Sequence, residues 1–281
     1  MRNKDNLKKE LLKLKECEWK IPDETNKYEL ALDMLKNIDS TDPVLRDELI
    51  LELLWIMIIE GYLTDDETRE ILKLTLSEEH LFNGIGAIGD DSVFNRAFTI
   101  LVIGCILYRH NNTGSKLLKR EELIHVYKEV IRYTMEEKDV RGYDEEKGWA
   151  HSAAHTSDAI CELSKCIELD EEDLLELLKV LKNKLLINYY TYVNFEEERM
   201  LTAVMSILER GLISNDDVIK WIKSFENIEL LGVGQIDMRI RVNRKNFLTS
   251  MYFRLKRRNI DKDIIDELEA VIDNTTLKYF K

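Results

Sequence analysis

Residues 1–16 read MRNKDNLKKELLKLKE, and within them Leu7, Leu11 and Leu14 recur at i, i+4 and i+7. That spacing places three leucines on one face of a helix and leaves the lysines and acids on the other. The same period returns at Ile71, Leu74 and their neighbours, and few stretches alternate as a strand would. Two prolines and 11 glycines leave little turn chemistry for a β-sandwich, and a hydrophobic share of 44% over 281 residues suffices for a sizeable core. The sequence therefore reads as all-α.

Start signals divide the chain. Thr41-Asp42-Pro43 sets a capping residue before a proline suited to a first helical turn, Thr64 and Glu67 have capping-box spacing, and Ser214 precedes Asp216 and Asp217. About twelve helices are expected, near 4–17, 25–38, 42–60, 65–76, 91–110, 120–137, 149–167, 171–188, 195–210, 215–226, 235–257 and 261–278. Connections near 61–64, 111–119, 168–170, 211–214 and 258–260 are mostly tight, whereas those near 77–90, 138–148, 189–194 and 227–234 are longer. Helices that follow the longer loops start at intervals of roughly 40 to 60 residues, close to the period of armadillo and HEAT arrays. The expected architecture is one helical-repeat domain over 1–281, a right-handed superhelix of antiparallel helical hairpins (an α-solenoid) with capping helices at 1–40 and 235–281. A compact irregular bundle is the alternative.

Charge and cysteine usage narrow the function classes. With 41 basic against 54 acidic residues the formal charge is −13, which repels nucleic acid and acidic membranes. Met238 to Arg258 holds eight basic residues and no acid, so the rest of the chain carries −21. Pairing of this basic helix with acidic helices of the same chain is expected ahead of phosphate binding. The N-terminus lacks the apolar run of a signal peptide, and the apolar stretches Leu53–Ile59 and Ala97–Leu107 fall short of the ~20 residues of a membrane span. Cys17, Cys105, Cys161 and Cys166 have no C-x-x-C spacing, as expected of a reducing compartment. These features point to a cytoplasmic protein with no membrane partner and nucleic acid as an unfavoured one.

Three segments carry a resemblance: HLFNGIGAIGDDSVFNR (80–96), RGYDEEKGWAHSAAHTSD (141–158) and EEER (196–199). Together they resemble the bacterial family named domain of unknown function 2785, over almost the whole chain, with Gly-Trp-Ala-His-x-x-x-His-x-x-Asp (148–158) as the specific part. The resemblance implies an all-helical fold and brings no established activity. Some members carry a membrane-spanning label, which the short apolar runs here oppose.

The candidate chemistry centres on that part. His151, His155 and Asp158 stand at i, i+4 and i+7, the spacing by which one helix face offers two imidazoles and a carboxylate to a divalent metal ion. No Glu follows the first histidine, so a zinc-protease helix is not indicated. The other reading is a hydrogen-bonded histidine pair at a helix contact, with Asp158 fixing a tautomer. Ala150, Ala153, Ala154 and Ala159 leave room for a ligand or for a close neighbouring helix. The glycines of 84–89 lack the Lys-Ser/Thr sequel of a phosphate loop, so Asp90 or Asp91 is expected to cap the next helix, with Arg96 nearby. Glu197, Glu198 and Arg199 open another helix, Arg141, Tyr143 and Trp149 sit on a long loop, and Arg239 stands where an anion could be gripped. The histidine face is expected to meet Asp91 and Glu197 or Glu198 in a solvent-connected cleft.

No nucleophile elbow or nucleotide, flavin or haem motif is present, so whether the chain is an enzyme stays open. The leading reading is a binding protein whose polar concave cleft holds a small anionic ligand or a peptide. A metal-assisted hydrolase built on His151, His155 and Asp158 is the alternative, and a nucleic-acid-binding repeat protein comes last.

Overall fold

A computed structural model describes residues 3–112, 114, 116–258 and 260–277. Twelve α-helices lie among them: α1 (Lys4–Glu16), α2 (Lys27–Lys36), α3 (Glu52–Ile59), α4 (Asp65–Thr75), α5 (Ser92–Asn112), α6 (Arg120–Glu136), α7 (Ser152–Ser164), α8 (Glu171–Leu185), α9 (Glu196–Glu209), α10 (Asn215–Lys223), α11 (Gly234–Arg257) and α12 (Lys262–Thr275). A π-helical segment, Val44–Leu51, runs into α3. Two-residue strands β1 (Tyr143–Asp144) and β2 (Gly148–Trp149) pair antiparallel, Tyr143 opposite Trp149. The all-helical class and the helix count match the sequence reading. The expected end of the last helix at 278, and loop positions 113, 115 and 259, lie outside the described residues.

The caps behave as their chemistry requires. Thr64 Oγ1 accepts from the Glu67 N–H at 3.2 Å while the Glu67 carboxylate accepts from the Thr64 N–H at 2.8 Å, so two orphan donors of α4 are satisfied reciprocally. Ser214 accepts from the Asp217 N–H at the start of α10. Pro43 opens π rather than α winding, with Asp42 Oδ1 accepting from the Leu45 N–H at 3.3 Å. Several boundaries shift by two or three residues, and the one that matters for the site is the helix expected near 149, which begins at Ser152 because residues 143–149 close a hairpin first. Gly148 makes that hairpin fit. Its φ is +76°, and a Cβ there would lie 2.8 Å from the Pro43 Cβ, so only glycine suits the site.

The chain packs as two compact units, Met1–Cys166 and Ile167–Lys281. In the first, α3, α5 and α7 lie side by side, α4 packs on α5, α6 on α7, and α1 on the π-helical segment. The centre is α5, where Phe94, Ile100, Ile103 and Leu107 are all buried. At 21 residues, α5 is long and apolar enough to cross a membrane, which corrects the shorter span expected from sequence. However, 83% of its apolar window is buried against the rest of the chain, as in a core helix apolar on all sides. The small residues of α7 serve this packing. Ala153, Ala154 and Ala159 are buried, and a Cβ on Gly104 of α5 would lie 3.5 Å from the Ala159 Cα. The room they leave is taken by a helix, not by a ligand.

In the second unit α8 packs on α9, α11 packs on α8, α9 and α12, and α10 packs on α12. Its core joins Leu174, Leu178, Met200 and Val204 to an aromatic cluster in which Phe225 and Phe247 stack 5.8 Å apart. The Trp221 indole N–H donates to the Leu178 carbonyl at 3.1 Å, so its polar edge is satisfied inside that core.

Candidate functional site

The glycine-containing loop before α5 is folded tightly by charge. Gly84, Gly86 and Gly89 all have positive φ. Arg96, fully buried, donates from Nη1 to the Asn83 carbonyl (2.8 Å), the Gly84 carbonyl (3.2 Å) and Ser92 Oγ (2.6 Å). Its other edge grips Glu137 bidentately at 2.5 and 3.0 Å. Burial works against the Arg96 charge, yet the Glu137 bonds and charge outweigh it and hold the guanidinium pKa above its ordinary value. Asp90 Oδ1 accepts from the Ser92 N–H at 2.9 Å and so caps the helix, as expected for one of the two aspartates. Asp91 does not meet the histidines expected beside it; its carboxylate pairs with Lys147 at 2.7 and 2.9 Å. Lys147 lies in the hairpin turn, close enough that the nearer charge takes the carboxylate. Asp139, buried, accepts from the Gly89 N–H at 2.8 Å, and burial pushes its pKa up. Arg141 lies 3.4 Å from Asp139 and donates to the Asp90 carbonyl.

Of the histidines, only His155 lies within α7. His151 is the residue before α7, with φ 52° and ψ 31°, in the left-handed region. Its carbonyl accepts the first helical bond, from the His155 N–H at 3.0 Å, and its ring stacks on Trp149 at 4.5 Å. Tyr143 meets Trp149 edge-on at 4.9 Å. His155 is 8% exposed, edge-on to His151 at 5.7 Å and to Phe98 at 5.2 Å. Its Nδ1 lies 3.0 Å from the Ala97 carbonyl, which fixes the Nδ1–H tautomer because a carbonyl only accepts. Asp158, the third member of the expected set, is half-buried on α7. Among the described residues no group of three His, Cys, Asp or Glu side chains is placed to hold a metal ion. The left-handed residue before α7 lets the His151 ring stack on Trp149 while it still meets the His155 ring edge-on.

Beneath this stack lies a pair that sequence reading did not single out. Arg46, in the π-helical segment, is fully buried between Phe94 (4.3 Å) and Phe98 (4.6 Å). It donates to the carbonyls of Ser40 (2.7 Å), Lys147 (2.8 Å) and Trp149 (3.2 Å), tying the hairpin to the core. Its Nε lies 2.7 Å from Asp47 Oδ1 but off hydrogen-bond alignment, an ion contact without a directed bond. Burial raises the Asp47 pKa to about 6 even against the attraction of Arg46. Tyr143, Trp149, His151, His155, Phe98, Arg46 and Phe94 thus form one continuous ladder of rings and a guanidinium, with Tyr143 and Trp149 at its exposed end.

The second unit holds the remaining candidates. Glu198 bonds Ser250 and pairs with Arg254 at 3.4 Å, while Arg199 is exposed. Glu197 Oε2 is buried without a hydrogen-bond partner; burial and then the neighbouring Glu196 and Glu198 charges raise its pKa. Phe195, before α9, has φ 62°, so α9 starts with the same left-handed step as α7. Arg239 donates to the carbonyls of Asn188 (3.4 Å) and Tyr189 (3.2 Å), stapling the preceding loop. Among the described residues, the ion pairs between the basic stretch 238–258 and α9 lie at its far end, Arg254–Glu198 within α11 and Arg258–Glu209 just past it.

A family model described as "Protein of unknown function (DUF2785)" matches residues 81–253. The chain belongs to that family. No curated protein and no solved structure gives a match. The DUF2785 match begins at the Arg96 loop and spans the hairpin, α7, α9 and most of α11. Arg46 and Asp47 fall outside it, although they brace the hairpin it contains. The one sequence signal for that pair was two opposite charges inside the apolar run Val44–Leu51.

Proposed function

We propose that this DUF2785 member is a binding protein whose first unit holds a peptide segment on the exposed Tyr143–Trp149–His151 stack. The observation that carries the reading is the left-handed backbone at His151, which sets the imidazole flat on Trp149. A non-glycine residue in that region costs about 1–3 kcal/mol and persists only where its surroundings enforce it. The hairpin, Arg46 and the Arg96–Glu137 pair supply that enforcement. Exposed aromatics bordered by Arg141 and by Asp144 suit a polypeptide, which presents apolar groups and both charge signs, better than a bare anion. The scaffold is read as a helical-repeat array, supported by the row α3, α5, α7 with α4 and α6 packed beside it. Four cysteines, none of them in a disulfide, fit a reducing compartment such as the cytoplasm.

The hydrolase alternative draws support from the fixed His155 tautomer, which leaves Nε2 as the lone-pair nitrogen. His155 is nevertheless buried against Phe98, and among the described residues no group of three His, Cys, Asp or Glu side chains is placed to hold a metal ion. Nucleic acid is opposed by the −13 charge. The test is selection of peptides from a random display library on the wild-type chain and on a Trp149→Ala, Tyr143→Ala variant of verified fold. Enriched peptides should bind the variant at least tenfold more weakly. Equal binding, or no enrichment, rejects the reading.

A further inference from the structure

The second unit contains a cavity of about 290 Å³ between α11 and α12, with an apolar floor that includes Val242, Leu248 and Ile272 and with Arg241, Arg244 and Lys245 on its lining. Nothing proposed for the first unit uses it. Arg244 is 6% exposed and donates to the carbonyls of Phe225 (3.0 Å) and Thr275 (3.1 Å). Those two bonds hold the guanidinium in place and use two of its five N–H donors. Among the described residues no carboxylate forms an ion pair with Arg241, Arg244 or Lys245. A buried guanidinium normally has an anionic partner, because carbonyl dipoles replace only part of its lost hydration. Burial, with Arg241 adding repulsion, draws the Arg244 pKa down to about 10, so it stays charged at neutral pH.

We infer that this cavity is a binding site for an amphipathic carboxylate, whose hydrocarbon body fills the apolar floor and whose headgroup lies on the Arg244 guanidinium under Arg241 and Lys245. The shape of the donor set selects the headgroup. An arginine fork matches the two oxygens of a carboxylate, and a monoanion brings less hydration to be stripped than a phosphate dianion. The floor selects the body, since Leu248 and Ile272 give a wholly polar metabolite nothing in exchange for its lost water. Binding would supply the ion-paired carboxylate that no described residue supplies.

The site is tested by calorimetric titration of the full chain with decanoate, decanol and decyltrimethylammonium. Decanoate should bind at one site, with decanol at least tenfold weaker and no binding of the cation. Arg241→Glu with Lys245→Glu, both outside the core, should weaken decanoate at least tenfold while leaving the thermal melt near that of the wild type. Val242→Trp, which fills the cavity without touching the charges, should abolish binding. Absence of decanoate binding, equal binding of decanol, or insensitivity to both variants would overturn the inference. So would binding that emerges only after residues 278–281 are deleted, because the occupant would then be the chain's own terminus.

Discussion

Arg96 and Arg244 are both buried arginines that bond backbone carbonyls, yet one is architecture and the other is read as a site. Arg96 has Glu137 bidentately across it, and its pKa stands above the ordinary value. Arg244 has two carbonyls, and burial followed by repulsion from Arg241 outweighs the attraction of Glu226 and draws its pKa down to about 10. Burial is a poor guide to purpose on its own. What separates the two is whether an ion pair completes the buried charge: Arg96 closes a loop of the chain onto itself, whereas Arg244 sits at a cavity with no ion-paired carboxylate among the described residues.

The largest expected effect comes from cutting each arginine out. Arg96→Met leaves Glu137, 1% exposed, as an uncompensated buried carboxylate, a change that costs on the order of 3–5 kcal/mol. Arg244→Met strands two carbonyls but no opposite charge and relieves the repulsion from Arg241, so its cost is about 1–2 kcal/mol. Denaturant midpoints of the two variants, measured at pH 7, decide the matter. Equal losses would mean that Arg244 is as structural as Arg96, and the contrast would break.

Much of this contrast could not be read in the sequence. Helix period, capping boxes and loop lengths are local, so the twelve helices stood out, and Thr64–Glu67 and Ser214 could be named as caps in advance. The partners of Arg96 and Arg46 are set by tertiary contact: Glu137 is 41 residues from Arg96, and the carbonyls of Lys147 and Trp149 are about a hundred from Arg46. The histidine motif was visible as spacing, but spacing assumes a continuous helix. Gly148 and the hairpin end that continuity at His151, yet the i, i+4 relation survives both in the backbone bond and in the edge-on contact of the two imidazoles, while the stack on Trp149 was not legible from spacing. Asp91 was lost from the site for a similar reason, since Lys147 comes near only when the hairpin closes. Arg244 drew attention in the sequence only as one charge in a basic run, because the cavity beside it needs α12 in place.

A smaller effect sharpens the comparison within the first unit, where Asp47 is the acid that Arg46 only partly compensates. Its folded pKa of about 6 lies above the ordinary 3.8, so the native state binds more protons than the unfolded chain between those values. Stability from this group is therefore intact below about pH 4 and lost as pH rises through 6, by no more than about 3 kcal/mol for a shift of this size. Carboxylates held low, such as Asp90 and Asp144, slope the opposite way, so the total curve does not isolate Asp47. The difference between wild type and Asp47→Asn does: unfolding free energies measured at pH 4, 5, 6 and 7 should show the variant gaining on the wild type as pH rises. A difference that is flat across that range would place the Asp47 carboxyl in water rather than against Arg46 and the hairpin glycine Gly148.

The smallest effect concerns the left-handed step that begins α7, and it separates strain from stacking. His151→Ala removes the Trp149 stack but keeps a β-carbon at φ 52°, so it loses the ~0.5–1.5 kcal/mol of a ring contact with no compensation. His151→Gly loses the same stack but relieves the backbone, so it should be more stable than the alanine variant by about 1 kcal/mol. Both variants should weaken any peptide selected on the Tyr143–Trp149–His151 surface, because the imidazole is gone in each. Should alanine equal glycine in stability, His151 would be relaxed in its present conformation, and the backbone would hold no strain for a binding site to explain. If glycine is the more stable while peptide binding falls equally in both, then the chain keeps a costly conformation at 151 for the sake of where it puts that ring.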